Sequence, residues 1–307
     1  MPQVARRHHF LPQGYLAGFT DSGRKDGLLN VLDIKAHTSF RTTPLNVAVE
    51  KDFKRIDIEG RQPDAVESAL SAVEGRAIEA IRSVIETKRF PSDSDFNLLL
   101  NLLSLVIAQN PKSRRALNSS RTRDVDAKLR GLVSSQQTWE QLVAAARSAD
   151  EELKGDLSYE RAQEFVEDRR YRIEFDNVGT MIAEFEVQDE LLNALAKRKW
   201  SVLVAPDHGP HFITSDYPFS LTMEHGYHGT PGFLVSNTEL FFPLSKTLGF
   251  IGVLGTPLQP VLAVQAQVVA MMNRRILRQA DQRLFSSNSS FVTLGREGII
   301  EHHVPPR

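Results

Sequence analysis

The 307-residue chain is 41% apolar and 24% charged, with 37 Lys and Arg against 38 Asp and Glu, so it can bury a core of ordinary size and carries no global positive field. It has no cysteine, which excludes disulfides, thiol nucleophiles and thiolate metal sites and leaves His, Asp and Glu as the possible protein metal ligands. No stretch approaches the roughly 20 apolar residues of a membrane helix, and the opening Met1-Pro2-Gln3-Val4-Ala5-Arg6-Arg7-His8-His9 lacks a secretory apolar run, so the expectation is a cytoplasmic protein without a membrane partner.

Along the chain, Leu28 to Ile34 reads as a strand, Lys35-Ala36-His37 as a turn and Thr38 to Thr42 as the returning strand of a hairpin. Between Pro63 and Lys88 the positions Val66, Leu70, Val73, Ala77, Ile78, Ile81, Val84 and Ile85 recur at the helix period. Ser92 is an N-cap for a second helix to about Gln109, whose Leu98, Leu99, Leu100, Leu102, Leu103, Leu105, Val106 and Ile107 cover most of its circumference and predict burial. Pro111 ends it. Residues 112 to 175 read as charged helices with one packed face each, carrying Trp139, Leu142, Val143 and Phe165, and another amphipathic helix spans Val178 to Lys197.

The period then changes. Trp200 to Ala205, Phe212 to Thr214, Glu239 to Phe242 and Leu248 to Leu254 read as short strands, Leu262 to Arg278 as a helix and Phe291 to Leu294 as a last strand. Strands, a helical middle and strands again imply an α+β fold, with a mixed or antiparallel sheet built from N- and C-terminal strands around a large helical insertion at about 62–197. No Gly/Ser/Pro linker marks a boundary, so one elaborated domain over 1–307 is expected.

Four segments carry a family pattern: His9-Phe10-Leu11-Pro12-Gln13-Gly14-Tyr15-Leu16-Ala17-Gly18-Phe19, Val47-Ala48-Val49-Glu50-Lys51-Asp52-Phe53, Phe212-Ile213-Thr214-Ser215-Asp216-Tyr217-Pro218 and Phe242-Pro243-Leu244-Ser245. In that order and spacing the chain resembles the bacterial family known as domain of unknown function 4238. The resemblance extends to the Glu67/Glu74 helix and to Asn273 in the last helix. It implies membership but no activity, and it places His9 in a histidine-containing opening pattern. This chain has Lys54 where the family leads one to expect Tyr.

Chemistry must therefore be read from side chains. At about 100° per residue, with Leu70 at 0°, Ile81 falls near 20°, Glu74 near 40°, Glu67 near 60° and Ile78 near 80°, so both glutamates lie within the apolar stripe. Each needs a cation, a metal or donors there, or a proton of its own. They are about 10 Å apart along the axis, able to line one cleft but not to share a proton. His9 is a candidate general base or metal ligand, or a satisfied structural ring. Glu50 and Asp52 share a face of an extended segment and suit Mg²⁺ or Mn²⁺, or else mark a solvent-facing edge. Asp216 is either a strand-end site residue or the key of an Asx turn before Pro218.

The pairs His208/His211 and His225/His228 have a metal-like spacing but lie among Gly and Pro without a third ligand. From Lys112 to Arg130 seven basic residues (Lys112, Arg114, Arg115, Arg121, Arg123, Lys128 and Arg130) face two acidic ones, which suits either a solvated helix or a phosphate-binding face. Phosphate-cradling, dinucleotide, nucleophile-elbow and His-Glu-x-x-His motifs are all missing, which disfavours the common nucleotide hydrolases, serine hydrolases and zinc proteases.

The leading expectation is a hydrolase of phosphodiesters, a toxin-like or defence nuclease. Its catalytic set is His9, Glu67, Glu74 and Asp216, with Mg or Mn at Glu50, Asp52, Glu74 and Asp216, and with nucleic acid held by Arg114, Arg115, Arg121 and Arg123. The rival is a non-enzymatic module that binds a protein partner or senses a nucleotide. The spatial expectation is that His9, Glu74 and Asp216 share one polar cleft.

Overall fold

The computed structural model describes residues 6–149 and 157–304. The first five residues of the N-terminal segment and residues 150–156 of the charged helical stretch lie outside the described residues. The chain opens with β1 (Arg7–His9), α1 (Gln13–Ala17), the hairpin β2 (Leu29–Asp33) and β3 (Thr38–Thr42), and β4 (Val49–Lys51). Six helices follow: α2 (Ala65–Thr87), α3 (Asp93–Ala108), α4 (Pro111–Leu132), α5 (Gln136–Ala149), α6 (Tyr159–Glu167) and α7 (Asn177–Ala196). The last third contains β5 (Lys199–Val204), β6 (Thr214–Ser215), β7 (Ser220–Met223), β8 (Thr238–Pro243), β9 (Leu248–Val253), β10 (Val261–Ala263), α8 (Ala266–Gln279), β11 (Arg283–Ser286), β12 (Ser290–Leu294) and β13 (Ile299–His303).

The fold is α+β. A four-stranded sheet in the order β3-β2-β11-β6 joins N- and C-terminal strands, and β1 pairs with β4. A five-stranded sheet runs β10-β5-β9-β8-β7, antiparallel except for the parallel β10/β5 pair. Its side chains alternate between two cores. Val202, Leu240, Phe242 and Phe250 pack with α2, α3 and the aromatic residues of the opening motif, whereas Leu203, Phe241 and Ile251 pack with Val269, Met272 and Ile276 of α8. A sheet covered on both faces needs apolar residues at successive positions, which is why β9 is buried throughout.

Compact packing divides the chain into one unit of residues 1–113 and 181–307 and a second of residues 114–180. The second is shorter than the insertion expected at 62–197, because α2, α3 and most of α7 bury their apolar faces in the first unit's core. Within the second unit, α4, α5 and α6 leave an apolar groove of about 350 Å³ lined by Leu129, Leu132, Trp139 and Phe165.

Three local readings change. Pro111 stops α3 but also starts α4, a position where its missing N–H costs nothing. Leu262 belongs to β10, with α8 beginning only at Ala266. Phe212 and Ile213 lie outside a strand because the Phe212 N–H donates to the Lys246 carbonyl and the Ile213 N–H to Asn273 Oδ1, leaving only Thr214 and Ser215 on a ladder.

Candidate functional site

Helix α2 is buried over Ala77, Ile78, Ala80, Ile81 and Val84, toward its C-terminal half, while Val73 is exposed. The apolar stripe therefore gives way to a polar wall toward the N-terminus. That wall, with the end of β1 and the start of α1, bounds a cavity of about 350 Å³ that His9, Glu67, Ser71, Glu74, Glu79 and Arg82 line together with Gln13 and Lys25. Residues 67, 71, 74, 78 and 82 recur at three- and four-residue steps, so one face of one helix presents them. The strand β1 brings His9 to the same space, held by β4, whose Val49 is its register partner.

Behind the cavity is a buried polar layer. His8 is fully buried, and its Nδ1 accepts the Lys54 backbone N–H at 2.7 Å. That bond fixes the ring hydrogen on Nε2, which lies 3.5 Å from Glu67 Oε2. The Lys54 ammonium, only 6% exposed, donates to Glu74 Oε1 at 3.3 Å. One residue thus engages His8 through its backbone and Glu74 through its side chain. Glu67 and Glu74 keep 27% and 18% exposure, so each carboxylate has a buried neighbour on one side and the cavity on the other.

The two groups best suited to proton transfer are shifted toward each other. Burial pushes the Glu74 carboxyl above the ordinary glutamate range, with the Lys54 charge opposing. Burial likewise lowers the His9 imidazole below its ordinary value, against the carbonyls of Leu45 and Pro44 and the charge of Glu67. The His9 Nε2 donates to the Leu45 carbonyl at 3.2 Å, so the neutral ring holds its lone pair on Nδ1. A histidine that stays neutral to lower pH than usual and a carboxyl that holds its proton to higher pH than usual are suited to act as a base and an acid in one cavity.

Asp216 does not line this cavity. Its carboxylate accepts the backbone N–H groups of Asp281, Gln282 and Arg283 at 2.8–2.9 Å, and its own N–H donates to the Arg283 carbonyl. It organises the turn between α8 and β11. The expectation of one cleft shared by His9, Glu74 and Asp216 is therefore corrected: the first two meet, with Glu67, and the third is occupied by backbone donors.

Glu50 and Asp52 are also absent from the cavity lining. Glu50 lies opposite His8 in the β1/β4 pair, and Asp52 takes a left-handed backbone (φ 56°) that ends the strand. The shared face needed for chelation is lost there. The Asp52 carboxylate instead receives both Arg6 Nε at 3.2 Å and Nη2 at 2.7 Å, and this pairing holds it below the usual aspartate range. His211 Nδ1 is engaged with Ser287 Oγ at 2.8 Å. Among the described residues, no three His, Asp or Glu side chains gather closely enough to hold a metal ion.

The basic run on α4 does not form one stripe. Seven-residue spacing puts Arg114 and Arg121 on the same face, whereas Arg123 falls about 160° from Arg121, roughly opposite. Arg114 donates to Asn177 Oδ1 at 3.0 Å, and the Arg121 guanidinium lies 4.0 Å over the Phe175 ring, so that face is directed into the second unit's own packing. Arg115 and Arg123 are exposed.

Most other family-pattern residues hold the scaffold. Tyr15 OH joins Thr214 Oγ1 at 2.7 Å and donates to the Pro243 carbonyl at 2.9 Å, stitching three motifs together. Ser245 Oγ accepts the N–H groups of Thr247 and Leu248, and Asn273 holds Ile213, His211 and Val292 through its amide. Sequence reasoning missed His8 and Lys54. Strand alternation was the available signal for His8, since adjacent residues of β1 must face opposite ways and only one can share the side of His9. Nothing local distinguishes a buried lysine.

No described helix is long and apolar enough to cross a membrane. No curated protein and no solved structure matches the chain. The family described as Protein of unknown function (DUF4238) matches residues 7–290, and the chain, in which that match covers the opening motif, the cavity and the Asp216 turn, belongs to it.

Proposed function

We propose that the cavity between β1, α1 and α2 is the active site of a hydrolase acting on single-stranded nucleic-acid phosphodiesters. The observation that carries this reading is the convergence of His9, Glu67 and Glu74 on one cavity, with His9 lowered and Glu74 raised from their ordinary proton affinities. His9 Nδ1 takes a proton from water, the water oxygen bonds to phosphorus, and the bond to the leaving oxygen breaks as that oxygen takes the Glu74 proton. Solvent then returns a proton from His9 to Glu74. Lys25 and Arg82 supply positive charge at the cavity wall for the phosphate, and His8 orients Glu67 from behind.

A cavity of about 350 Å³ is at the small end of ligand-sized sites and admits one nucleotide unit rather than a duplex. The test is cleavage of labelled single-stranded RNA and DNA by the purified protein, with EDTA and with added Mg²⁺ or Mn²⁺, alongside His9→Ala. Expected is cleavage that falls by about 10²–10⁴ in the variant while its melting temperature stays near the parent's. Loss of cleavage on EDTA treatment alone would bring a metal to the carboxylates, and equal rates in parent and variant would remove His9 from the chemistry.

A further inference from the structure

The polar wall of α2 contains one position whose residue type the fold itself does not explain. Gly75 is in the interior of a 23-residue helix, where glycine lowers helix stability relative to alanine. A close neighbour normally accounts for such a glycine. Gly14, across the same cavity, has one, because a Cβ there would come 2.9 Å from Ile78 Cγ2. Gly75 has none: a Cβ built on it meets no atom within 4 Å. Gly131 is likewise open but is next to the last residue of α4, where glycine commonly ends a helix.

Gly75 also lines the cavity, directly after Glu74 and one turn beyond Ser71. The structure assigns to Gly75 the role of a substrate-contact position: the space its missing side chain leaves is filled by a nucleotide unit packing against the bare backbone of α2. This inference rests on the hydrolase reading for the identity of the ligand, though not for the existence of the contact. With Glu67 and Ser71 on one side to accept or donate hydrogen bonds to sugar and base, and Arg82 further along the helix for phosphate, the open backbone at Gly75 lets a flat group approach closely. Gly75 is thus a specificity-determining residue that touches substrate but transfers no proton.

Because the native chain contains no cysteine, Gly75→Cys provides a single thiol at this position, with Gly131→Cys as the control. The rate of maleimide labelling is measured with and without a millimolar phosphorothioate tetranucleotide that resists cleavage. The inference predicts about tenfold slower labelling of the Gly75→Cys variant and no change in the Gly131→Cys control. It also predicts that Gly75→Ala melts about 2 °C above the parent, as helix propensity requires, and that Gly75→Leu stays folded but cleaves RNA about 100-fold less efficiently. A Gly75→Cys thiol that labels equally fast with and without the oligonucleotide, or a fully active Gly75→Leu, overturns the inference even if the parent cleaves RNA. Protection of the Gly75→Cys thiol in a protein that cleaves nothing would keep the contact and reject the hydrolase.

Discussion

Replacing Glu74 by Gln is expected to lower kcat by about 10²–10⁴ and to change the shape of the pH–rate profile. The parent needs Glu74 protonated and His9 neutral, so its rate falls when rising pH removes the Glu74 proton and when falling pH protonates His9. With Glu74 raised above 4.5 and His9 lowered below 6.5, these limits draw together on the acid side of neutrality. The Gln variant retains only the His9 limb: its small residual rate rises with pH through the His9 titration and then stays level. Its amide oxygen can still accept from Lys54, but at pH above the Glu74 titration the buried ammonium loses its anion, so there a stability loss of about 1–3 kcal/mol accompanies the substitution, and the loss shrinks as falling pH protonates the parent's carboxyl. A variant that keeps the parent's kcat and both limbs would return Glu74 to the scaffold. Calorimetry on the same sample separates the two effects.

Asp216→Ala is expected to act through stability instead. It strands three backbone N–H groups in a part-buried turn, at a cost of about 2–3 kcal/mol, or roughly 6 °C in melting temperature. Asp216→Asn keeps one acceptor oxygen but points donors at donors, and should fall between parent and Ala. The cleavage rate per folded molecule stays at the parent's value in both. An Asn variant that melts with the parent yet has lost cleavage would show that the carboxylate serves the reaction and not the α8–β11 turn.

These two residues illustrate what the sequence makes legible. Helical periodicity locates α2 and α3, Ser92 marks the α3 cap, and the wheel singles out Glu67 and Glu74 inside an apolar stripe. The wheel works because a helix face is fixed by local geometry alone. It could not show that the stripe turns into a cavity wall over its first half, since that depends on which distant segments cover Ile81 but leave Glu67 open. Asp216 carries the same signal in both of its readings, a polar residue between an apolar run and a proline. Only the arrival of the 281–283 backbone decides between them. Lys54 is the extreme case: it departs from the residue expected of the family, and its buried pairing with Glu74 joins positions 20 residues apart.

The motifs that identified the family were legible for another physical reason. Tyr15, Thr214, Ser245 and Asn273 each satisfy buried backbone or side-chain groups, so their chemistry is constrained by the fold whatever the protein does. A pattern dominated by such residues reports architecture well and activity poorly.

The claim that His9 and Glu74 act as one acid–base unit is tested most directly by single-turnover cleavage of a labelled RNA oligonucleotide in a double-mutant cycle. Groups that share a transition state give non-additive losses, because removing either partner already forfeits the concerted proton transfers. We predict that His9→Ala combined with Glu74→Gln cleaves no more than about tenfold slower than the slower single variant. Losses that multiply across the cycle, or a double variant as fast as the parent, would contradict the account.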